Sequence, residues 1–519
     1  MRRPLALLTA AITVGGLALA PAAAPATVEA HGRSNSQEHK KIHKKSCHPK
    51  AAVKPSELVP QPTVTGPIGD EGIRTGEPYA TTMAPLPDGW VEEEFFFSGT
   101  ARDYQGSDEG PREYTQRILV RRPTDRAEFN GTIVLNWNNV TTPHDGGAHG
   151  WESLYQTAGA RGFAVVSVSA QYLGTEVSPL ALKQYDPERY GSLYHPGSPP
   201  GAAREGDDYS YDIFSQAAEA SITPEVMGDL LPCVQRRLAT GLSGSGDRLL
   251  KYIKGVHRQA LVFDGFQPQH CTFSVTCGDD PADVPTDVVP ILWVNSQQEI
   301  EAGPADGDLF RLWEVAGQAH TSYSQNSYWN AVLTYSHSNG QAGAWDPEDA
   351  GAWGYQAAAG DCLVDTYFPE SYAWGAALVA LDDWVRTGIA PEPQPRLARG
   401  EGPTGDVALV FDRHGNAVGG VRNPIVDVPI ATYYVFPITT QPSQPCQVGE
   451  NVPLRGSTQV FSAGTLEELY PHPTAEDYLE QFDAAVEDAL AAGTLLPEGA
   501  EDLRRRALDA AAFIADATS

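Results

Sequence analysis

Positive charge is scarce in this chain. Its 519 residues carry 36 Lys and Arg against 66 Asp and Glu, a formal net charge of −30. Such an acidic excess repels phosphate backbones and anionic lipid surfaces, which argues against nucleic acid as a partner. The one basic stretch, HKKIHKKSCHPK, has polar, unpatterned surroundings and reads as a solvated tail. Long apolar runs are missing as well. Beyond the amino-terminal leader no segment approaches the ~20 apolar residues that a membrane span needs, so no stable membrane insertion is expected. C-x-x-C spacing is absent among Cys47, Cys233, Cys271, Cys277, Cys362 and Cys446. That argues against a structural zinc site or a dithiol redox motif and favours disulfides, with Cys271–Cys277 the best local pairing. No repeat of solenoid period is visible.

The leader itself has the order of an export signal. Arg2 and Arg3 precede the apolar stretch Leu5 to Leu19, and small residues follow, with Ala20, Ala24 and Ala30 as alternative cleavage points. Residues 1–30 are therefore expected to be a secretion signal and 31–65 a flexible basic and Pro-rich lead-in. Residues 66–519 are expected to form the folded domain of an extracellular protein of unspecified oligomeric state.

Within that domain, WVEEEFFFSGTA and YTQRILVRRP read as antiparallel strands. GTIVLNWNNV, GFAVVSVSAQ, RRLATG, QALVFDGF, VVPILWVNS and FRLWEVAG then recur between helical stretches. The central runs are apolar enough to be buried on both faces, as parallel strands are. The expected fold class is α/β: a mostly parallel, doubly wound sheet with antiparallel strands at its amino-terminal side. The stretch from about 172 to 230 is too long for a bare crossover and reads as a cap-like insertion. Residues 321–360 are rich in aromatic and polar residues and read either as a surface excursion or as an aromatic pocket wall. The chain from 400 to 519 forms an extension ending in two acidic amphipathic helices.

The segment ATGLSGSGDRLLKYI sits where a strand should give way to a helix. A nucleophile on such a turn needs small residues two positions before and after it. Ser243 has Gly241 and Ser245 there, whereas Ser245 has Ser243 and the bulkier Asp247. Ser243 is thus the candidate nucleophile, against the plainer reading of a Gly/Ser turn. The N–H of Gly244, at the start of the helix, would face a developing oxyanion. A second donor is expected from Asn139 or Val140, after the strand IVLNW. Sites of this kind run in the chain order Ser, acid, His. VVPILWVNSQQEIEAG delivers Glu299, with Glu301 just beyond, and FRLWEVAGQAH delivers His320. Asp264 is the alternative acid, and Asp306 and Asp308 are weaker choices. His144, His149 and Asp145 invite a metal reading, but they sit in a glycine-rich loop, and neither a metal nor an organic cofactor is expected. Asn139-Val140-Thr141 and Asn130-Gly131-Thr132 match the glycosylation pattern. At Asn139 the match reads as accidental, because a glycan there would obstruct the site.

The motifs LNWNNVT, VSVSAQ, YDPERYGSLYHPG, DDYSYDIFSQA, ATGLSGSG, VFDGF, FRLWEVAGQAH and LDDWVRTGIAP resemble those of the alpha/beta hydrolase domain-containing group, often secreted. The resemblance extends from about PTVTGPI to the C-terminal helices and implies the α/β-hydrolase fold and serine-hydrolase chemistry. The chain departs from that family's pattern in two places. Leu242 and Gly244 stand where the family more often has Glu and Gln beside the serine, and Gln297-Gln298-Glu299 stands where it often has Glu-x-Asp.

Taken together, these features point to a secreted serine hydrolase acting on a small-molecule carboxylic ester, with lactones or amides as variants. The insertion and the aromatic stretch suggest a covered pocket for a bulky or aromatic ester. An inactive binding protein on a hydrolase scaffold and a lyase of the same fold are the alternatives.

Overall fold

The computed structural model describes residues 52–519 except 71, 73–75, 105–109, 142–143, 147, 179, 198–206, 272–283, 300–303, 339, 341–343, 402–406, 436–453 and 472–474. The leader and Cys277 therefore lie outside the described residues. Among those described, no cysteine is free.

Nine strands form one sheet: β1 (Thr63–Thr65), β2 (Trp90–Ala101), β3 (Arg112–Pro123), β4 (Thr132–Trp137), β5 (Ala164–Ser169), β6 (Arg236–Leu242), β7 (Gly265–Gln269), β8 (Ile291–Ser296) and β9 (Phe310–Val315). They lie side by side as β1-β2-β3-β5-β4-β6-β7-β8-β9. The pairs from β1 through β3 to β5 are antiparallel, and β5-β4-β6-β7-β8-β9 are all parallel. This is the doubly wound sheet with antiparallel amino-terminal strands that the sequence implies. Every residue of β4 to β9 is buried, as parallel strands covered on both faces must be.

Alternation along each strand feeds two cores. Val134 of β4 joins Trp151 and Leu154 of the helix Ala148–Arg161 and Trp374 and Leu378 of the helix Ser371–Thr387. Its neighbours Ile133, Leu135 and Trp137 join Phe214 of the helix Ser210–Ala220 and Tyr252 of the helix Gly244–Gly255 on the opposite face. The helix Ser210–Ala220, which the sequence placed inside the cap-like stretch, is buried along its whole length. Likewise the aromatic stretch after His320 opens with a helix, Tyr323–His337, whose Tyr328, Trp329 and Val332 pack into the core. Those rings build the interior rather than a pocket wall.

The chain moves outward from β4 in both directions, to β5 on one side and β6 on the other. The crevice at their carboxyl ends is the switch point where ligands bind in open α/β sheets.

Two clusters of buried polar groups flank that crevice, and they deal with burial differently. Arg117, fully buried in β3, donates to Glu94 of β2, to Asp145 Oδ2 at 3.0 Å and to the Tyr79 carbonyl. Glu94 also accepts from Arg189 Nε at 2.7 Å and from the Tyr190 hydroxyl at 3.0 Å. Glu152, on the helix Ala148–Arg161, has no such cation among the described residues. It accepts from the hydroxyls of Ser153, at 2.9 Å, and Ser324, and burial pushes its carboxyl up to about 7. Glu370, which accepts from Ser322 Oγ at 3.0 Å, is pushed well above the usual carboxylate range, first by burial and then by Glu152.

The degree of burial sets the expected effect of three substitutions on stability. Arg117→Ala leaves Glu94 with one arginine and Asp145 with none, and should cost ~3–5 kcal/mol in urea unfolding. Arg504→Ala, whose partners Asp483 and Glu487 are exposed, should change it by less than ~0.5 kcal/mol. For Glu152 the folded carboxyl holds its proton to higher pH than the unfolded one. The stability this confers is present below the unfolded pKa and is lost as pH rises through about 7. Glu152→Gln should therefore raise the melting temperature relative to the parent at pH 8, with the gain shrinking toward pH 5.

Candidate active site

β6 ends at Leu242 and the next helix begins at Gly244, so Ser243 alone makes the corner, with φ 58° and ψ −122°. A non-glycine residue adopts that conformation only when its surroundings hold it there. Here the Ser243 N–H donates to the Gln269 carbonyl at 2.9 Å, and the Ser243 carbonyl accepts from Asp247 N–H at 2.9 Å. The turn is tight enough that a Cβ on Gly241 would lie 2.8 Å from the Ser245 carbonyl oxygen. Ser245 is part of this packing: its hydroxyl donates to the Leu242 carbonyl at 2.8 Å and accepts from Leu242 N–H at 3.0 Å.

The loop after β4 closes over the corner. Asn139 Nδ2 donates to the Leu242 carbonyl at 2.7 Å, its Oδ1 accepts from Thr141 N–H at 2.7 Å, and its carbonyl accepts from Gly146 N–H at 2.7 Å. The Asn139 amide that the glycosylation pattern marks is thus engaged inside the fold. A Cβ on Gly244 would approach Thr141 Oγ1 to 2.7 Å. Glycine at this position leaves room for Thr141 to sit over the first turn of the helix. The Gly244 N–H, in that first turn, is one of the donors that a helix leaves without an internal partner.

Two and three strands further along, the loops after β8 and β9 bring Glu299 and His320 together. His320 Nδ1 lies 2.6 Å from Glu299 Oε1, and Glu299 Oε2 accepts from Ser296 N–H at 3.1 Å and from the Ser296 hydroxyl. Burial alone would push the Glu299 carboxyl up. The His320 charge and hydrogen bond outweigh it, with His270 and Ser296 adding to them, and hold the carboxyl at about 2. A carboxylate can only accept, so Nδ1 carries the hydrogen and Nε2 is the basic nitrogen of the neutral ring. Among the described residues, no hydrogen bond joins Ser243 Oγ to His320. Catalytic hydrogen bonds of this type commonly tighten only when substrate is bound.

His270, which sequence reasoning missed, ties the end of β7 to the loop after β9. It ends β7 in a left-handed conformation, φ 46°, one residue past the Gln269 that holds Ser243. Its Nδ1 lies 2.8 Å from the His320 carbonyl, and its Nε2 lies 3.0 Å from Gln318 Nε2. The carbonyl fixes the hydrogen on Nδ1, leaving Nε2 to accept from Gln318. Burial depresses the ring's pKa to about 4, so it is neutral near pH 7. The only signal in the sequence was its place at the end of FQPQH, after an apolar run.

The other candidates lie elsewhere. Asp264 precedes β7 rather than following it, at the opposite edge of the sheet, where its Oδ2 accepts from Arg237 N–H at 2.8 Å. Asp306 and Asp308 precede β9. Asp306 Oδ1 accepts from Leu312 N–H at 3.0 Å and Arg396 Nη2 at 3.1 Å, and Asp308 is exposed. Glu301 lies outside the described residues, as does the His149 side chain. His144 stacks on Trp329 at 3.9 Å while Asp145 serves Arg117, so these two do not converge on a metal. Ligand atoms of His270, Glu299 and His320 lie within 4.8 Å of one another. Gathering them about a cation would break the Glu299–His320 or His270–Gln318 bonds just described.

A comparison with curated proteins finds no match. Among solved structures, a putative dienelactone hydrolase from Klebsiella pneumoniae subsp. pneumoniae MGH 78578 aligns at 12% identity with a TM-score of 0.22, over 39% of this chain and 73% of that one. The rice cell wall degrading esterase LipA from Xanthomonas oryzae aligns at 11% and 0.23, over 36% and 44%. Brefeldin A esterase, a bacterial homologue of human hormone-sensitive lipase, aligns at 12% and 0.25, over 42% and 64%. The chain thus spans less than half of LipA and under two thirds of brefeldin A esterase. Likenesses this remote carry no argument about chemistry. The family model described as an alpha/beta hydrolase domain is different in kind, because it matches residues 64–505 continuously, from β1 into the last helix. On that match the chain belongs to the alpha/beta hydrolase domain family.

Proposed function

We propose that this hydrolase-family chain cleaves a carboxylic ester through an acyl-enzyme on Ser243. The observation that carries the reading is the Glu299–His320 bond, which leaves Nε2 as the free base at the sheet edge where the strained turn presents Ser243. In the proposed sequence Ser243 Oγ attacks the carbonyl carbon while His320 Nε2 takes its proton, and Glu299 stabilises the imidazolium. The carbonyl oxygen becomes an oxyanion facing the Gly244 N–H, with Val140 N–H as the second donor. Collapse breaks the bond to the alcohol, which leaves with the proton from His320. Water then attacks the acyl carbon, giving a proton to the same nitrogen. The second collapse returns that proton to Ser243 and releases the acid. His270 acts as a positioning residue, holding the His320 backbone through its ring and the Ser243 backbone through its neighbour Gln269. The leader-like N-terminus and the cysteine usage support export to an oxidising compartment.

A fluorophosphonate probe should label the parent protein and Ser245→Ala but not Ser243→Ala. The Ser243 variant should also lose at least ~10³-fold in kcat on p-nitrophenyl acetate. A folded parent that neither labels nor turns over would overturn the reading. His270→Ala should lower kcat ~10–100-fold with little change in KM, since misplacing a base by about 1 Å costs that much. His270→Asn, which keeps a donor for the His320 carbonyl and tolerates a positive φ, should recover most of the loss. Equal losses in both variants, or a change confined to KM, would remove His270 from its positioning role.

A further inference from the structure

Beside the serine corner a cleft of about 280 Å³ opens, lined by Gly244, Val140, Leu173, Gln171, Asp207 and Arg248, among others. It therefore adjoins both proposed oxyanion donors. Gln171 stands two residues past the end of β5, at the same sheet edge as Ser243, and is 5% exposed.

The orientation of the Gln171 amide follows from its partner. Asp207 Oδ2 accepts from Gln171 Nε2 at 3.1 Å and from Arg248 Nη2 at 2.6 Å and Nε at 2.8 Å. Asp207 Oδ1 accepts from Ser210 Oγ at 3.3 Å. A carboxylate has no hydrogen to give, so the amide nitrogen must be the end of Gln171 that faces it. The amide oxygen is buried and, among the described residues, has no hydrogen-bond partner. Folded proteins rarely leave a buried acceptor unsatisfied, and such an atom calls for a ligand or a water to complete it. The two charged residues that line the cleft already meet each other, Arg248 pairing with Asp207 at 2.6 Å. What the site lacks is a neutral hydrogen-bond donor.

We propose that this cleft is a substrate subsite taking a neutral hydroxyl or N–H group carried by the ester, with Gln171 Oε1 as its acceptor. Val140 and Leu173 cover the carbon skeleton. The substrate class is then a hydroxyl- or amide-bearing ester rather than a plain aliphatic one. The proposal rests on Ser243 being the nucleophile.

Two matched pairs of esters test it, followed by pH-stat titration of the full chain. Propyl and 2-hydroxyethyl butanoate place a hydroxyl in place of a methyl on the alcohol side. Methyl heptanoate and methyl 6-hydroxyhexanoate do the same on the acyl side. A site built to hydrogen-bond a hydroxyl discriminates against the analogue lacking it, so the hydroxyl-bearing member of at least one pair should have kcat/KM at least ~10-fold higher. Gln171→Leu should bring that ratio to about one; Gln171→Met carries the same test if the leucine variant does not fold. An enzyme that turns over all four esters without preference overturns the proposal and leaves the hydrolase reading standing. So does a preference that survives in a folded Gln171 variant. Failure of the parent to label with fluorophosphonate or hydrolyse any ester overturns both.

Discussion

The guanidinium of Arg117 is the joint on which the amino-terminal half of the molecule depends. It is buried away from solvent, so its charge must be met by protein groups fixed in direction. Those groups come from separate parts of the chain: Glu94 from β2, Asp145 from the loop after β4, and the Tyr79 carbonyl from the segment between β1 and β2. Glu94 brings Arg189 from the stretch between β5 and β6. Asp145 in turn accepts from Asn138 Nδ2 at 3.0 and 3.1 Å and from Ser169 Oγ at 2.5 Å. The loop proposed to supply an oxyanion donor is therefore fixed from beneath by an ion pair, while Asn139 fixes it from the side of the serine corner.

At the other end of the crevice the organisation rests on hydrogen bonds to backbone. Gln269 and His270 are consecutive residues that serve different loops, one holding the Ser243 N–H and the other the His320 carbonyl. Gln297 and Gln318 tie the β8 and β9 loops to each other, the Gln297 N–H donating to the Gln318 carbonyl at 2.9 Å and the Gly317 N–H to Gln297 Oε1 at 2.8 Å. Each candidate catalytic side chain thus projects from a loop whose main chain is fastened to a neighbouring strand end. That is how a site assembled from residues 77 positions apart in sequence, Ser243 to His320, keeps one geometry.

Buried parallel strands announce themselves as apolar runs, and β4, β5, β8 and β9 were legible for that reason, whereas β6, RRLATGL, was legible from its place ahead of the serine turn. β7 was not. In QALVFDGF the apolar residues Val262 and Phe263 are buried, yet they lie in a connection that follows a short helix and a left-handed Leu261; pairing begins only at Gly265. Reading the strand too early made Asp264 look like a residue at a carboxyl end. The helix Tyr323–His337 escaped notice because Gln325, Tyr328, Trp329, Val332 and Ser336 mix polar and apolar side chains on the face it buries. The pairing of Glu299 with His320 was legible from chain order. The roles of His270 and Gln171 were not, because they consist of hydrogen bonds to residues distant in sequence or, for one Gln171 oxygen, of a bond left unmade.

The last helix, Pro497–Thr518, separates the extent of family likeness from the extent of a folding unit. The family match stops at residue 505, in mid-helix, yet Ala507, Ala510 and Ile514 beyond it are buried in the same core as Trp353 and Phe482. Upstream, Glu498 grips Arg161 at 2.7 and 2.8 Å, and Asp502 accepts from the Tyr372 hydroxyl at 2.6 Å. The buried core therefore runs past the residues that the family match covers, at least to Ile514. The last helix acts as a closing clasp on one face of the sheet.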